Sequence, residues 1–211
     1  MPRLHHILSE INMFKDHQPI IHEWAKESPS RTMWLIWFVS ATIQQHFSTV
    51  DTIYNSFLRE GVESKYAWGA KADTITYSAK HKKELYEAIF DPDMPLAVKL
   101  LNVAAIPGIG LPKAGFVLQL CIGEVGCLDS HNLKRFGLSA SAFKLPKKLK
   151  YDTALRKAEL YLKTCEELGG CEYLWDSWCE YISYLYPKRF EGRNHVSACH
   201  VEYLIPTYVE K

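Results

Sequence analysis

Two glycines and two prolines interrupt an apolar helical pattern near the middle of the chain. The stretch "IPGIGLPKAGFVLQL", residues 106–120, follows "PLAVKLLNVAA" and continues without a polar break into "AGFVLQL". A flexible linker would not lead directly into so apolar a run. The pattern therefore predicts two buried helices, over about 95–105 and 112–122, that are joined by a tight turn.

The composition of this turn indicates an anion site. Gly108 and Gly110 permit backbone angles that other residues avoid, and Pro112 suits the first turn of a helix. Such a turn leaves N–H groups unpaired at the N-terminus of the second helix. Because these groups and the helix dipole attract negative charge, the turn is a candidate phosphate-binding site that a ligand backbone could approach closely.

The rest of the chain also has a helical pattern. Apolar positions recur mainly at helical spacing, long alternating strand patterns are absent, and the expected fold is all-α with about ten helices. Besides the two helices above, the spacing predicts helices over about 3–14, 19–26, 31–45, 48–60, 73–90, 129–136, 152–168 and 171–186, with a last one from about 194. "KDHQP" separates the first two, and "GLSASAFKLPKKLK" is predicted to be a linker.

A longer stretch resembles a known family. "IPGIGLPKAGFVLQLCIGEVGCLDSHNLKRFG" resembles the helix-hairpin-helix (HhH-GPD) DNA glycosylases. Residues 106–110 match the family's Leu-Pro-Gly-Val-Gly hairpin, and Ala114 matches a small position. Asp129 and His131 match an Asp-x-His element at a similar distance from the hairpin, and Lys134 takes an arginine position. Upstream, "TIQQHFSTVDTIYNSF" resembles the Leu-Gln-Gln-Thr helix and turn of mismatch adenine glycosylases.

The resemblance spans roughly residues 31–137 and implies a fold. It implies a single two-lobed helical unit over 1–211, with a DNA cleft between the lobes. Residues 28–94 would form a helical lobe with the Gln-Gln turn, 95–137 would carry the hairpin and a catalytic aspartate, and 138–211 with 1–27 would complete the helical lobe. Residues 138–211 contain no recognisable motif.

The resemblance also implies a set of DNA contacts. A glycosylase extrudes a nucleotide from the duplex, at a cost of a few kcal/mol, to reach its glycosidic bond. The hairpin would grip the DNA backbone, and a glutamine would fill the gap that the extruded base leaves. The implied DNA-binding residues are Gln44, Gln45, Pro107, Gly108, Ile109, Gly110, Lys113, His131 and Lys134.

Two residues are candidates for the catalysis itself. The resemblance makes Asp129 the carboxylate that stabilises positive charge on the sugar or activates a nucleophile. Read from the residues alone, Asp129 before "SHNLKRF" also suits a helix N-cap, and both roles can hold together. Strand-cleaving members use a Schiff-base lysine at the position of Pro112. Lys113 lies one residue later, about 100° around a helix; we interpret it as a phosphate ligand, with a solvated lysine and lyase chemistry as alternatives.

Two departures from the family narrow the expected activity. Adenine-specific members carry a glutamate where this chain has Ser40, so adenine removal from mismatches is not expected. The family's C-terminal four-cysteine box is absent, since Cys165, Cys171, Cys179 and Cys199 are widely and unevenly spaced. No iron–sulfur cluster, other metal or cofactor is expected.

Several other side chains have two interpretations. Trp34 and Trp37 share a helical face, which is typical of a core. An aromatic-rich helix would pack in the core or stack on a flipped base, and a basic group would contact phosphate or remain solvated. The aromatic residues of this helix are Tyr173, Trp175, Trp178, Tyr181 and Tyr184, and the basic residues are Lys144, Lys147, Lys148 and Lys150.

Composition and charge limit the expected cellular location and binding partners of the protein. The net charge of +1 does not by itself indicate nucleic acid. No run approaches the roughly 20 apolar residues that span a bilayer, and "MPRLHHILSE" lacks the order of a secretion signal. We expect an intracellular monomer, cytoplasmic, nucleoid-associated or nuclear, that binds double-stranded DNA and no membrane.

The leading hypothesis is a DNA glycosylase that cleaves the N-glycosidic bond of a modified or damaged base with Asp129, without lyase activity. One alternative keeps the fold but changes the reaction to that of the phage-encoded relatives thought to transfer amines onto activated modified thymines. Another is a non-catalytic hairpin DNA-binding module.

Overall fold

The structure, a computed structural model, describes residues 13–45, 49–146 and 150–185. All regular elements in these ranges are helical, which confirms the all-α class. The α-helices are α1 (Met13–Lys26), α2 (Pro29–Ala41), α3 (Val50–Glu60), α4 (Ala70–Lys80), α5 (Lys82–Phe90), α6 (Leu96–Ala104), α7 (Leu111–Cys121), α8 (Ser130–Arg135), α9 (Tyr151–Glu167) and α10 (Gly170–Leu185). Short 3-10 turns cover Gly61–Glu63 and Ala140–Phe143.

Some predictions fall outside these ranges. The helix expected from about residue 194, most of the one expected over 3–14, and Lys147, Lys148 and Cys199 lie outside the described residues. The side chains of Cys179, Tyr181 and Tyr184 also lie outside the described part of the structure. The division into two lobes remains a prediction.

Two helices form the centre of the packing. Nine of the thirteen residues of α2 are buried, and it packs against α1, α3, α4, α5 and α7. Nine of the eleven residues of α7 are buried, and it packs against α1, α2 and α6. Trp37 is buried and donates from Nε1 to Ser78 Oγ at 2.9 Å, which confirms its core assignment. No helix in the described residues is long and apolar enough to cross a bilayer.

The predicted break in the first helical region is wrong. The described part of α1 continues through "KDHQP", with Pro19 inside the helix. Pro19 cannot donate an i→i−4 bond, which normally breaks a helix. Ile21 and Ala25 are fully buried, and α1 packs against α2, α7 and α10, so this tertiary packing outweighs the local preference.

Three other boundaries also differ from the predictions. The helix expected over 73–90 is two helices, α4 and α5, which meet at His81 and pack separately against α2. The helix expected over 31–45 ends at Ala41 because the chain turns at residues 42–44. The predicted linker after α8 contains the Ala140–Phe143 turn, whose Phe143 is buried.

Candidate functional site

A cleft lies where the end of α2, the start of α7 and the start of α8 come together. Its inner and outer parts share five lining residues, so we treat them as one cleft. The shared residues are Thr42, Gln45, Lys113, Asp129 and His131. The inner part adds Val50, Phe116, Cys127 and Trp178, and the outer part adds Gln44, Gly108, Pro112 and several residues around α8. Side chains far apart in sequence therefore line one space.

Asp129 is held in the cleft as the N-cap of α8. Its Oδ1 accepts hydrogen bonds from the backbone N–H of His131 at 3.0 Å and of Asn132 at 2.9 Å. Both bonds use the same oxygen, and the residue is half-buried and lines both parts of the cleft. The N-cap prediction is confirmed. The two cap hydrogen bonds fix the orientation of the carboxylate, and Asp129 also lines the cleft.

Lys113 lies in the first turn of α7 and reaches the same cleft. Its Nζ donates to Thr42 Oγ1 at 2.9 Å and lies 5.7 Å from the centroid of the Phe116 ring. Thr42 Oγ1 in turn donates to Val39 O at 2.7 Å, so its lone pairs remain to accept from the ammonium. Despite the one-residue offset from the family position, this side chain therefore lines the same cleft as Asp129.

The Gln-Gln turn forms one wall of the cleft. Gln44 has φ +51°, the one positive φ among non-glycine residues in the described ranges. This left-handed conformation is costly for a residue with a side chain, and such strain is concentrated at functional sites. Gln44 and Gln45 are both exposed, and both line the cleft.

The hairpin glycines differ from each other. Gly108 has φ +83°, and a Cβ there would lie 2.7 Å from both Ala70 O and Thr74 Oγ1. Gly110 has φ −109° and ψ 178°, angles open to any residue, and a Cβ there would meet only Pro112 Cδ at 3.9 Å. Of the two glycines, Gly108 therefore uses the backbone freedom that glycine permits, and Gly110 does not. Gly108 is required for packing of the hairpin on α4, where Thr74 Oγ1 also donates to Pro107 O at 2.6 Å.

The other residues predicted to contact DNA do not line the cleft. Pro107 and Gly110 are exposed on the hairpin, and Lys134 is exposed on α8. Ile109 is buried in the core, and its N–H donates to Ile106 O at 2.9 Å. Its contribution to the hairpin is therefore packing. Lys144 and Lys150 are exposed on the segment before α9.

On the inner wall of the cleft, Trp178 is among the aromatic side chains predicted to pack in the core or to stack on a flipped base, whereas Phe116 and Cys127 were missed. Phe116 and Trp178 have ring centroids 6.2 Å apart, whereas Trp175 is buried in the core. Cys127 is buried beside them, and burial first, then the negative charge of Asp129, raises the pKa of its thiol well above the usual range. Cys127 could have been suspected because it precedes Asp129 by two residues, whereas nothing in the sequence singles out Thr42.

The described cysteines Cys121, Cys127, Cys165 and Cys171 are free thiols. Within the described ranges, no group of three or more His, Cys, Asp or Glu side chains could hold a metal ion. Comparisons with protein-family models, curated proteins and solved structures found no match for this chain.

Proposed function

We propose that the protein is a DNA glycosylase-like enzyme that flips a modified or damaged base and hydrolyses its N-glycosidic bond. One observation carries the proposal: residues predicted independently from two stretches of sequence line a single cleft. Gln44 and Gln45 come from the first stretch, and Gly108, Lys113 and Asp129 come from the second. Their position around one cleft supports a common role in binding and reaction.

In this proposal Asp129 stabilises the charge that develops on the sugar. As the bond from C1′ to the base weakens, positive charge grows on the sugar ring, and a fixed carboxylate nearby lowers the energy of that state. Water then adds to C1′, and the base leaves with the bonding electron pair and takes up a proton. The two N–H groups on Oδ1 keep the carboxylate in position, so little reorganisation is needed at the moment of reaction.

The surface around the cleft suits a DNA backbone. The hairpin exposes Gly108 and Gly110 at the start of α7, where backbone N–H groups and the helix dipole favour a phosphate. Lys113 adds a positive charge at the mouth of the cleft. The exposed Gln44, on a strained turn, is available to occupy the gap in the duplex. The inner wall adds the rings of Phe116 and Trp178, which are tilted by 49° to each other, and in this proposal the flipped base packs against them.

The test is incubation with duplexes that bear uracil, oxidised, alkylated and hypermodified bases, followed by mass spectrometry. A glycosylase releases a free base and leaves an abasic site. Borohydride reduction adds a second readout, since a covalent DNA adduct that disappears in Lys113→Ala would indicate lyase chemistry through this lysine. Intact bases across the whole panel would contradict the proposal.

A second candidate is the transferase reaction on a modified thymine. It is favoured by the absence of a second carboxylate: among the described residues that line the cleft, Asp129 is the one acidic side chain. Ser40, at the family's glutamate position, is fully buried and does not line the cleft. A reaction on an intact base needs no acid to protonate a leaving base. With an amine donor added, the same mass spectra distinguish the two reactions, because a transferase yields an intact nucleoside of changed mass, in which the amine has replaced the activating group, and no abasic site.

A further inference from the structure

We infer that Tyr161, on α9, is a positioning residue for the loop over residues 123–129, which carries Cys127 and Asp129 into the cleft. The inference rests on the proposed function for its effect on turnover. Tyr161 does not line the cleft and would not touch the substrate. It acts through the backbone of the loop.

The Tyr161 hydroxyl satisfies two backbone groups of this loop. It accepts a hydrogen bond from Leu128 N–H at 2.9 Å and donates one to Gly126 O at 2.8 Å. The loop has no regular structure of its own, and both groups are buried. Gly126 O also accepts a weaker hydrogen bond from Cys165 Sγ at 3.6 Å, so loss of the hydroxyl mainly leaves Leu128 N–H without its partner. Because an unpaired buried N–H is costly, the hydroxyl holds the backbone next to Cys127 in place.

The fixed segment is directly connected to the carboxylate. Leu128 immediately precedes Asp129, and its side chain is fully buried. On the other side, Asn132 Nδ2 donates to Cys127 O at 2.7 Å. Tyr161 and Asn132 therefore hold the N–H and the C=O of the same Cys127–Leu128 peptide, and rotation of that peptide would shift the backbone that leads into Asp129.

Tyr161 itself is rigidly held. It is fully buried, and its ring meets Phe143 edge-on with centroids 5.2 Å apart. Helix α7 packs closely against the hydroxyl at Gly115, where there is no room for a side chain. A Cβ on Gly115 would lie 2.6 Å from Gly126 O and 2.7 Å from Tyr161 Oη. Burial raises the pKa of Tyr161 well above its usual range, so the hydroxyl keeps the proton that it donates.

The test uses two variants that disturb the same hydrogen bonds from different elements. Tyr161→Phe removes the hydroxyl and keeps the ring, and Gly115→Ala pushes a methyl group between the hydroxyl and Gly126. Both should lower turnover at saturating DNA by about 10- to 100-fold, the cost of a small misplacement of a catalytic group. DNA affinity should stay within about twofold of wild type, because the hairpin and the Gln-Gln turn are not altered.

A second readout does not depend on the activity. The rate at which methyl methanethiosulfonate modifies Cys127, followed by peptide mass spectrometry, reports the loop geometry. It should rise about tenfold in both variants, as the loss of a buried hydrogen bond allows. Phe143→Leu is the control: it loosens packing on the Tyr161 ring but leaves the hydroxyl, so Cys127 should react at the wild-type rate.

The outcomes separate the two proposals. Faster Cys127 modification in a protein that alters no DNA base supports the positioning of the loop and contradicts the proposed function. An active wild type with unchanged turnover and Cys127 reactivity in Tyr161→Phe overturns the inference and leaves the proposed function standing. Equal acceleration in Phe143→Leu also overturns it, since loosened packing alone would then explain the effect.

Discussion

At the scale of single residues, Asp129 caps α8 and is also the proposed catalytic carboxylate. Two substitutions can separate these roles. Asparagine caps a helix about as well as aspartate, so Asp129→Asn should change the free energy of unfolding little while it removes the carboxylate and abolishes turnover. Asp129→Ala removes the cap as well and should cost about 1 kcal/mol of stability. Urea unfolding and base-release assays on both variants measure these effects. Full turnover in Asp129→Asn would reduce Asp129 to a helix cap and contradict its catalytic role, whereas DNA binding without turnover in the wild type would favour the non-catalytic binding module.

The hairpin glycines offer a matched pair at the same scale. Gly108→Ala forces a side chain into a left-handed backbone, which costs about 1–2 kcal/mol, and also into the backbone of α4. We expect a loss of at least that size in the free energy of unfolding. Gly110→Ala meets open space at ordinary angles and should leave stability nearly unchanged. Thermal or urea unfolding of the two variants provides the comparison, and equal losses would contradict this account of the hairpin.

At the scale of elements, the proline within α1 is expected to lower the stability of the protein. Pro19 is exposed within the helix, so its replacement by alanine loses little packing and restores an i→i−4 hydrogen bond. Pro19→Ala should raise the free energy of unfolding by about 1–3 kcal/mol, after allowance for the greater freedom of the unfolded chain. Glu159→Ala, at an exposed position of α9, is the control. A destabilised Pro19→Ala variant would show that the proline is required where it stands.

The accuracy of the predicted elements follows from local chemistry. Helices whose ends carry glycine or proline, such as α3 and α6, were predicted to within a residue or two. The break at His81 was missed because no glycine or proline marks it. The early end of α2 was missed because its cause is the backbone angle of Gln44, a residue that rarely adopts it. Packing against α2 also overrode the local effect of Pro19.

At the scale of the whole molecule, buried thiols link stability to pH. Burial raises the pKa of Cys165 from 9.0 to about 12 and that of Cys121 still further. Below about pH 7.5, a full unit under the ordinary thiol pKa, the thiols are almost fully protonated in both states, and this contribution to stability is complete. As pH rises towards 12, the unfolded chain releases protons that the folded chain retains, so stability should fall by up to about 1.4 kcal/mol per pH unit for each such thiol. Urea unfolding between pH 8 and 10 measures the slope. Cys165→Ala should reduce it, and an unchanged slope would contradict this cause.

Only part of the candidate site could be predicted from the sequence alone. Asp129, Lys113 and the glutamines could be predicted because short motifs carry them. Thr42 and Tyr161 could not, because their contacts with Lys113 and Leu128 join residues 71 and 33 positions apart. The fold creates these contacts, and no local pattern encodes them. The same holds for Phe116, which looks like an ordinary core residue, whereas Trp178 could be suspected as an aromatic that stacks on a base; α7 and α10 bring the two rings together.

The burial of α7 has a consequence for hydrogen exchange. The hairpin and Lys113 stand at the start of this helix, Gly115 adjoins the Asp129 loop, and His22 Nδ1 lies 2.7 Å from Cys121 O at its end. With nine of its eleven residues buried, its backbone amides should open only when the molecule unfolds globally. Deuterium uptake in native conditions should therefore be slowest in α7 and much faster in α8. Mass spectrometry of peptic fragments would reveal this contrast, and it would mean that α7, which carries the hairpin at its start, stays intact until the whole molecule unfolds.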